Sequence, residues 1–147
     1  MTALLAGEPR TVDAAVYADG HLLLVERGDG WALPGGLAEG GESDVDAMIR
    51  QLRDGVGVDL VREVAAVIYS GPADERQVAA EVRVTSRLTV FRLDRLPEPA
   101  PPDARAGWFP VHNRDELAAA IRAVGGAVCA ALLPLLEIVL NKLGGQR

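Results

Sequence analysis

The run Trp31-Ala32-Leu33-Pro34-Gly35-Gly36, continued through Glu42 to Val58, constrains this chain more than any other stretch. A β-prone segment ends at Pro34, two glycines follow, and Leu37-Ala38-Glu39-Gly40-Gly41 leads into a helix. Ser43 is a good N-cap, and Asp46, three residues on, is a short-armed partner for a capping box. Val45, Met48, Ile49, Leu52 and Val56 recur at helical spacing and form one apolar stripe. Asp46, Arg50 and Asp54 stand four apart on the polar face, the spacing of i,i+4 ion pairs. Gly55 and Gly57 then end the helix, because glycine takes a left-handed C-terminal conformation without strain.

Around this stretch the chain reads as short strands and two later helices. Residues 11–17 and 21–26 are β-prone runs joined by Ala18-Asp19-Gly20, which predicts a hairpin. After the helix, residues 60–70 read as a strand, 71–75 as a loop, and 78–93 as one bent strand or two. The proline-rich residues 97–103 predict a stiff surface connection. Residues 108–111 read as a short strand, 114–124 as a helix, and 127–143 as another, kinked or restarted at Pro134. That last segment carries Pro134 and Glu137 and barely reaches the ~20 residues a membrane span needs. It is expected to be buried in its own domain or against a second copy.

The glycine loop and helix together resemble the Nudix box, whose family pattern is G-x5-E-x7-R-E-U-x-E-E-x-G-U with U apolar. Gly36, Glu42, Arg50, Leu52, Gly57 and Val58 match it, and Trp31 to Gly36 match the W-x-L-P-G-G lead-in. Trp108 sits where the family often has a late W-x-P-like strand. The resemblance implies an α/β (α+β) Nudix fold, a mixed β-sheet sandwiched between helices. It gives Gly35, Gly36, Glu42 and Arg50 the task of bracing the loop against the helix. It also implies Mg²⁺ or Mn²⁺ chemistry on a phosphoanhydride and a small-molecule nucleotide derivative as substrate.

The three glutamates that follow the arginine in the family pattern are replaced here by Gln51, Asp54 and Gly55. Carboxylates at i, i+3 and i+4 share a helix face and together hold a metal, and Mg²⁺ prefers hard, charged oxygen ligands. At these positions Gln51 offers a neutral oxygen, Asp54 one carboxylate, and Gly55 nothing. The expected remnants are Arg50 and Asp54 for catalysis and Gln51, Asp54 and Glu42 for a metal. Glu39, Glu42, Glu81 and the Asp74-Glu75 pair are candidate substitutes. Further on, Tyr69, Gly71, Asp74, Arg76 and Thr85 give a faint resemblance to ADP-ribose pyrophosphatases, in which Arg76 would clamp a diphosphate bidentately. Gly35, Gly36, Glu39, Arg76 and Glu81 are thus the expected substrate contacts.

Composition closes off other classes. The 147 residues, 49% apolar and 24% charged, suit a single globular domain spanning 1–147, with the apolar helix at 126–143 as part of it. A net charge of −6 leaves no basic stripe for nucleic acid. The single Cys129 rules out an internal disulfide and fits a reducing cytoplasm, and the first ten residues lack a signal-peptide layout. Cys129 is expected to be a small buried hydrophobe in the last helix, His21 and His112 are isolated, and Trp31 is expected to pack. The leading expectation is a binder of an ADP-ribose-like compound with weak or absent hydrolysis. The alternatives are an active metal-dependent pyrophosphohydrolase using substitute carboxylates, with no metal needed if hydrolysis is lost, and a homodimeric interaction module with a vestigial cleft.

Overall fold

Asp19 and Gly20 both take positive φ, 49° and 76°. This is the requirement of a two-residue type I′ turn, whose twist matches the strands it joins. It connects β1 (Arg10–Ala18) to β2 (His21–Arg27), with Ala18 opposite His21. The computed structural model describes residues 10–79, 82–97, 105–130 and 132–144, with only the backbone path for residue 10, 73–79 and 82–86. Short strands β3 (Gly30–Ala32) and β4 (Gly35–Leu37) lead to helix α1 (Asp44–Gly55). Then come β5 (Ala66–Ala79), β6 (Val82–Leu93), β7 (Ala106–Pro110), α2 (Arg114–Ala123) and α3 (Leu132–Gly144).

The sheet is mixed, with strands in the order β3-β2-β1-β6-β5, β4 paired on β1 and β7 on β2. β1 and β6 run parallel, Arg10 opposite Thr85 through Ala18 opposite Leu93, and the other pairings are antiparallel. Side chains alternate across a strand, so the central strand serves two cores. Val12, Ala14, Val16 and Ala18 pack with Ala47, Met48, Leu52 and Val56 of α1 and its cap. Ala15 turns the other way, into a core with Leu117 and Ile121 of α2 and Leu132, Leu135, Leu136 and Val139 of α3. One helix on one face and two on the other give the expected α+β sandwich.

Local chemistry explains where the elements depart from the sequence reading. Residues 60–65 are turns rather than strand, because Asp59 Oδ1 accepts from the N–H groups of Val61 and Arg62 and coils the chain there. Val64 then sits at φ 54°, an uncommon conformation for a β-branched residue. Residues 71–75, expected as a loop, continue β5, the long pairing with β6 absorbing them with a register shift between Pro72 and Asp74. Residues 127–130 are not helical. Trp31 N–H donates to Ala127 O (2.8 Å) and Cys129 N–H to Trp31 O (3.0 Å), so this segment lies along β3 and α3 starts at Leu132. Pro134 falls in the first turn of α3, where its missing N–H has no helical partner to lose, and so it produces no restart. Residues 98–103 of the proline-rich connection lie outside the described residues. Among the described residues no helix is long and apolar enough to cross a membrane.

Candidate functional site

Helix α1 begins as its sequence dictates. Ser43 Oγ accepts from Asp46 N–H at 3.0 Å. Asp44, only 9% exposed, stands in the first turn, where the helix dipole favours a negative charge. Its Oδ2 accepts from Arg87 Nε at 2.7 Å, which ties the helix start to β6. At the other end Gly57 takes φ 82°, and Val58 N–H returns to Leu52 O at 3.1 Å. Gly55 remains inside the helix as its last residue.

The expected row of ion pairs along Asp46, Arg50 and Asp54 does not form. Arg50 instead reaches back to the loop: Nε donates to Glu42 Oε2 (2.7 Å) and a second guanidinium nitrogen to Glu42 Oε1 (3.0 Å). A bidentate pair satisfies the arginine fork better than a single i,i+4 contact. Glu42 Oε1 also accepts from Glu39 N–H at 3.0 Å, closing the loop on itself. The hydrogen bond to Glu42 is the main reason the Arg50 guanidinium is held above its ordinary value; burial opposes this, and the charges of Glu39, Glu42 and Asp54 reinforce it. Glu39 itself is largely exposed, 3.8 Å from Arg50.

Gly35 lies so close to β1 that an added Cβ would meet Val12 O at 2.4 Å, so only glycine lets β4 pair there. The strand end is fixed from a second side by Arg27, whose guanidinium donates to Gly35 O (3.0 Å) and Leu33 O (3.3 Å).

On the part of α1 that carries metal ligands in the family pattern, Gln51 Nε2 donates to Leu37 O at 3.0 Å, and its Oε1 faces Gly36. Gly55 presents open space. Asp54 is exposed and accepts from the neighbouring Arg53 Nε at 3.1 Å. Gln51 and Gly55 line a cavity of about 220 Å³ with Arg27, Pro34 and Gly35. The carboxylate in that lining is Glu26, held by Arg105 at 3.1 Å. Among the described residues no three His, Cys, Asp or Glu side chains converge as a metal site would require.

A second cavity of about 260 Å³ opens on the other side of Arg27. Thr11 and Asp13 of β1, Leu33, and Cys129, Leu132 and Leu135 of the C-terminal segment line it. Cys129 is therefore not a core residue of the last helix. It is partly exposed, its Sγ lies 3.4 Å from Asp29 Oδ2, and it borders this cavity. A larger cavity of about 310 Å³, between the turn at Asp59 to Glu63 and Arg95 to Pro97, lies off the glycine loop.

The expected site residues thus divide. Gly35, Gly36, Glu39, Glu42, Arg50 and Gln51 gather at the loop, and Asp54 stands outside it. Glu81 lies outside the described residues, and Arg76, Asp74 and Glu75 are placed by backbone alone. Tyr69 packs, its hydroxyl donating to Pro72 O and its ring 4.3 Å beneath Lys142 Nζ. Trp31 packs edge-on against Phe109, with centroids 4.9 Å apart. His21 and His112 bond locally, to Asp19 O and Glu116. The sequence reading passed over Arg27, Glu26, Asp13 and Leu132; a charged residue closing the strand just before the glycine loop was the available signal for Arg27.

The NUDIX domain family matches residues 7–124. No curated protein sequence matches the chain significantly. Among solved structures, a bifunctional NMN adenylyltransferase/ADP ribose pyrophosphatase from Francisella tularensis, complexed with AMP and a Mn ion, aligns at a TM-score of 0.61 and 24% identity. The alignment covers 96% of this chain and 44% of that one. A MutT/nudix family protein from Enterococcus faecalis aligns at 0.56 and 23% identity, over 73% and 45% of the two chains. This chain therefore spans less than half the length of either. A Nudix hydrolase from M. smegmatis, RenU, aligns at 0.64 and 15% identity, over 96% and 87%. At these identities the likeness is one of fold, and with the domain match extending over most of its length the chain belongs to the NUDIX domain family.

Proposed function

We propose that this protein binds a nucleoside-diphosphate-linked small molecule, of the ADP-ribose type, at the glycine loop and hydrolyses it weakly or not at all. One observation carries the reading: the face of α1 turned to the glycine loop bears Gln51 and Gly55, with Asp54 outside and Glu42 engaged by Arg50. As arranged, these residues do not supply the charged oxygen set that a divalent cation takes. A phosphate still has a partner in Arg27, whose guanidinium borders both cavities and makes no ion pair among the described residues. The Francisella protein, complexed with AMP and a Mn ion, supports a nucleotide as the ligand class.

A hydrolysis screen over ADP-ribose, diadenosine polyphosphates, NADH and nucleoside triphosphates, with Mg²⁺ and Mn²⁺, tests the proposal alongside calorimetry without metal. Binding with no turnover is expected. Metal-dependent turnover abolished by Asp54→Ala would overturn it. The second reading, an active enzyme with a substitute ligand, draws on Glu26, which borders the cavity of Gln51 and Gly55. Turnover lost in Glu26→Gln would favour that reading. The homodimeric module has less support, because α3 buries Leu132, Leu135, Leu136 and Val139 within its own domain.

A further inference from the structure

We infer that a second copy of this chain docks on the face formed by the turn after α1, the start of β5 and the residues that follow β6. The contact is a two-fold one made by side chains, and it does not depend on the ligand class proposed above.

Of the six large apolar side chains left exposed among the described residues, four belong to this face: Val61, Val64, Val67 and Leu96. Val61 and Val64 are neighbours in space, because Val64 N–H donates to Val61 O at 3.1 Å. Val67 stands opposite Phe91, whose side chain enters the α1 core, and directly opposed residues point to one side of a sheet. Val67 therefore emerges on the side where Leu60 and Ala65 of the turn pack. Leu96 lines the 310 Å³ cavity with Arg62 and Glu63, the two residues between Val61 and Val64. Val64 itself is 80% exposed while held at φ 54°, a strained conformation for a β-branched residue. An apolar side chain presented despite that strain, beside a hollow on the same face, supplies both knob and hole for a self-complementary contact.

Charge selects the occupant. The chain carries a net charge of −6, so two copies repel each other over much of their surface. At this face the signs balance, since Arg62 and Arg95 line the cavity with Asp59 and Glu63. Neither arginine makes an ion pair among the described residues. A patch that meets itself across a two-fold must contain its own complement. Charges of both signs around an apolar centre provide it, whereas a wholly basic or acidic partner would set half of them against their like. An extended peptide is not accommodated either. β5 is the outermost strand in the sheet order, but register shifts after Val67 and after Pro72, and the missing N–H of Pro72, break up its edge as a template. The contact is therefore side chain on side chain.

Sedimentation equilibrium of the full chain over a wide concentration range, with a thermal melt of each variant, tests the inference. The parent should show a reversible monomer–dimer equilibrium of about micromolar strength, the weak end for protein interfaces. Val64→Gly should weaken it by roughly 10- to 100-fold, the scale of one buried valine. The thermal midpoint should not fall, because glycine takes that φ freely. Arg62→Glu leaves the rim acidic on both copies. It should weaken the dimer at low salt and regain part of the loss as salt screens the repulsion. If Val64→Gly does lower the midpoint, Arg62→Glu, on an exposed residue, decides between fold and interface. A parent that stays monomeric at every concentration overturns the inference. So does a dimer that neither substitution weakens, since another face then makes it.

Discussion

The two sides of helix α1 differ in how fully their polar groups are used. On the side of the Glu39 to Glu42 loop, Arg50 and Glu42 make two short bonds, Glu42 also holds the Glu39 N–H, and Asp44 is buried against Arg87. On the side that would face a metal, Gln51 hydrogen-bonds a backbone carbonyl and Gly55 leaves space. Both sides derive from one motif of contiguous residues, yet only the bracing half forms a closed network. Framework residues of this kind hold the loop shape whatever chemistry occurs there, so their retention shows the fold and is silent on turnover. This distinction separates family membership from activity.

The largest effect should come from rebuilding the open side. Gln51→Glu with Gly55→Glu places carboxylates where a Cβ at 55 meets nothing within 4 Å. The carboxylate introduced at position 51 cannot donate to Leu37 O, so the bond that ties Gln51 to the loop is lost. If the scaffold still positions a ligand, Mg²⁺-dependent hydrolysis should rise by roughly 10²–10⁴-fold, the scale of the several kcal/mol of charge stabilisation that a bound metal gives. No gain in a folded double variant would mean that more than the carboxylates is missing.

Next in size, Leu52→Ala should cost about 2–5 kcal/mol, because Leu52 is fully buried beneath the sheet. Asp54→Ala should stay within about 0.5 kcal/mol, as exposed substitutions do. Urea unfolding of the two variants measures the contrast directly, and similar losses would break it. Arg50→Ala should lower the thermal midpoint by less than Leu52→Ala and speed amide exchange at Glu39, whose N–H depends on the Glu42 carboxylate that Arg50 positions. Unchanged exchange at that amide would show that the loop holds without the brace.

The smallest effect concerns a brace of the same type at α2. Glu116 accepts from the His112 ring and from its backbone N–H, and these bonds hold its carboxyl below the usual carboxylate range. A folded value below the unfolded one gives stability that is complete above the unfolded value and lost as pH falls through the folded one. Carboxyl NMR titration should show Glu116 titrating low in the parent and nearer its ordinary range in His112→Ala.

Much of the fold was legible because its signals are local. Asp19-Gly20 encodes a turn, Ser43 a cap, Gly57 a stop, and the stripe from Val45 to Val56 a buried face. Where reading failed, a neighbour distant in the chain decided the outcome. Residues 127–130 look helical by composition but lie along β3 because Trp31 offers them an N–H and a carbonyl. Arg50 could have paired with Asp46 or Asp54, and it took Glu42 because the loop presents both of its oxygens.

The sequence by itself determined the family framework and the identity of residues 51, 54 and 55, since both are matters of spacing and residue type. Only the tertiary structure decided that Asp54 stands outside the cavity, that Arg27 lies between two cavities, and that Cys129, Leu132 and Leu135 help to enclose one of them. Spacing along a helix fixes which side chains share a face. What that face meets depends on residues scores of positions away, brought there by the burial of apolar surface in two cores.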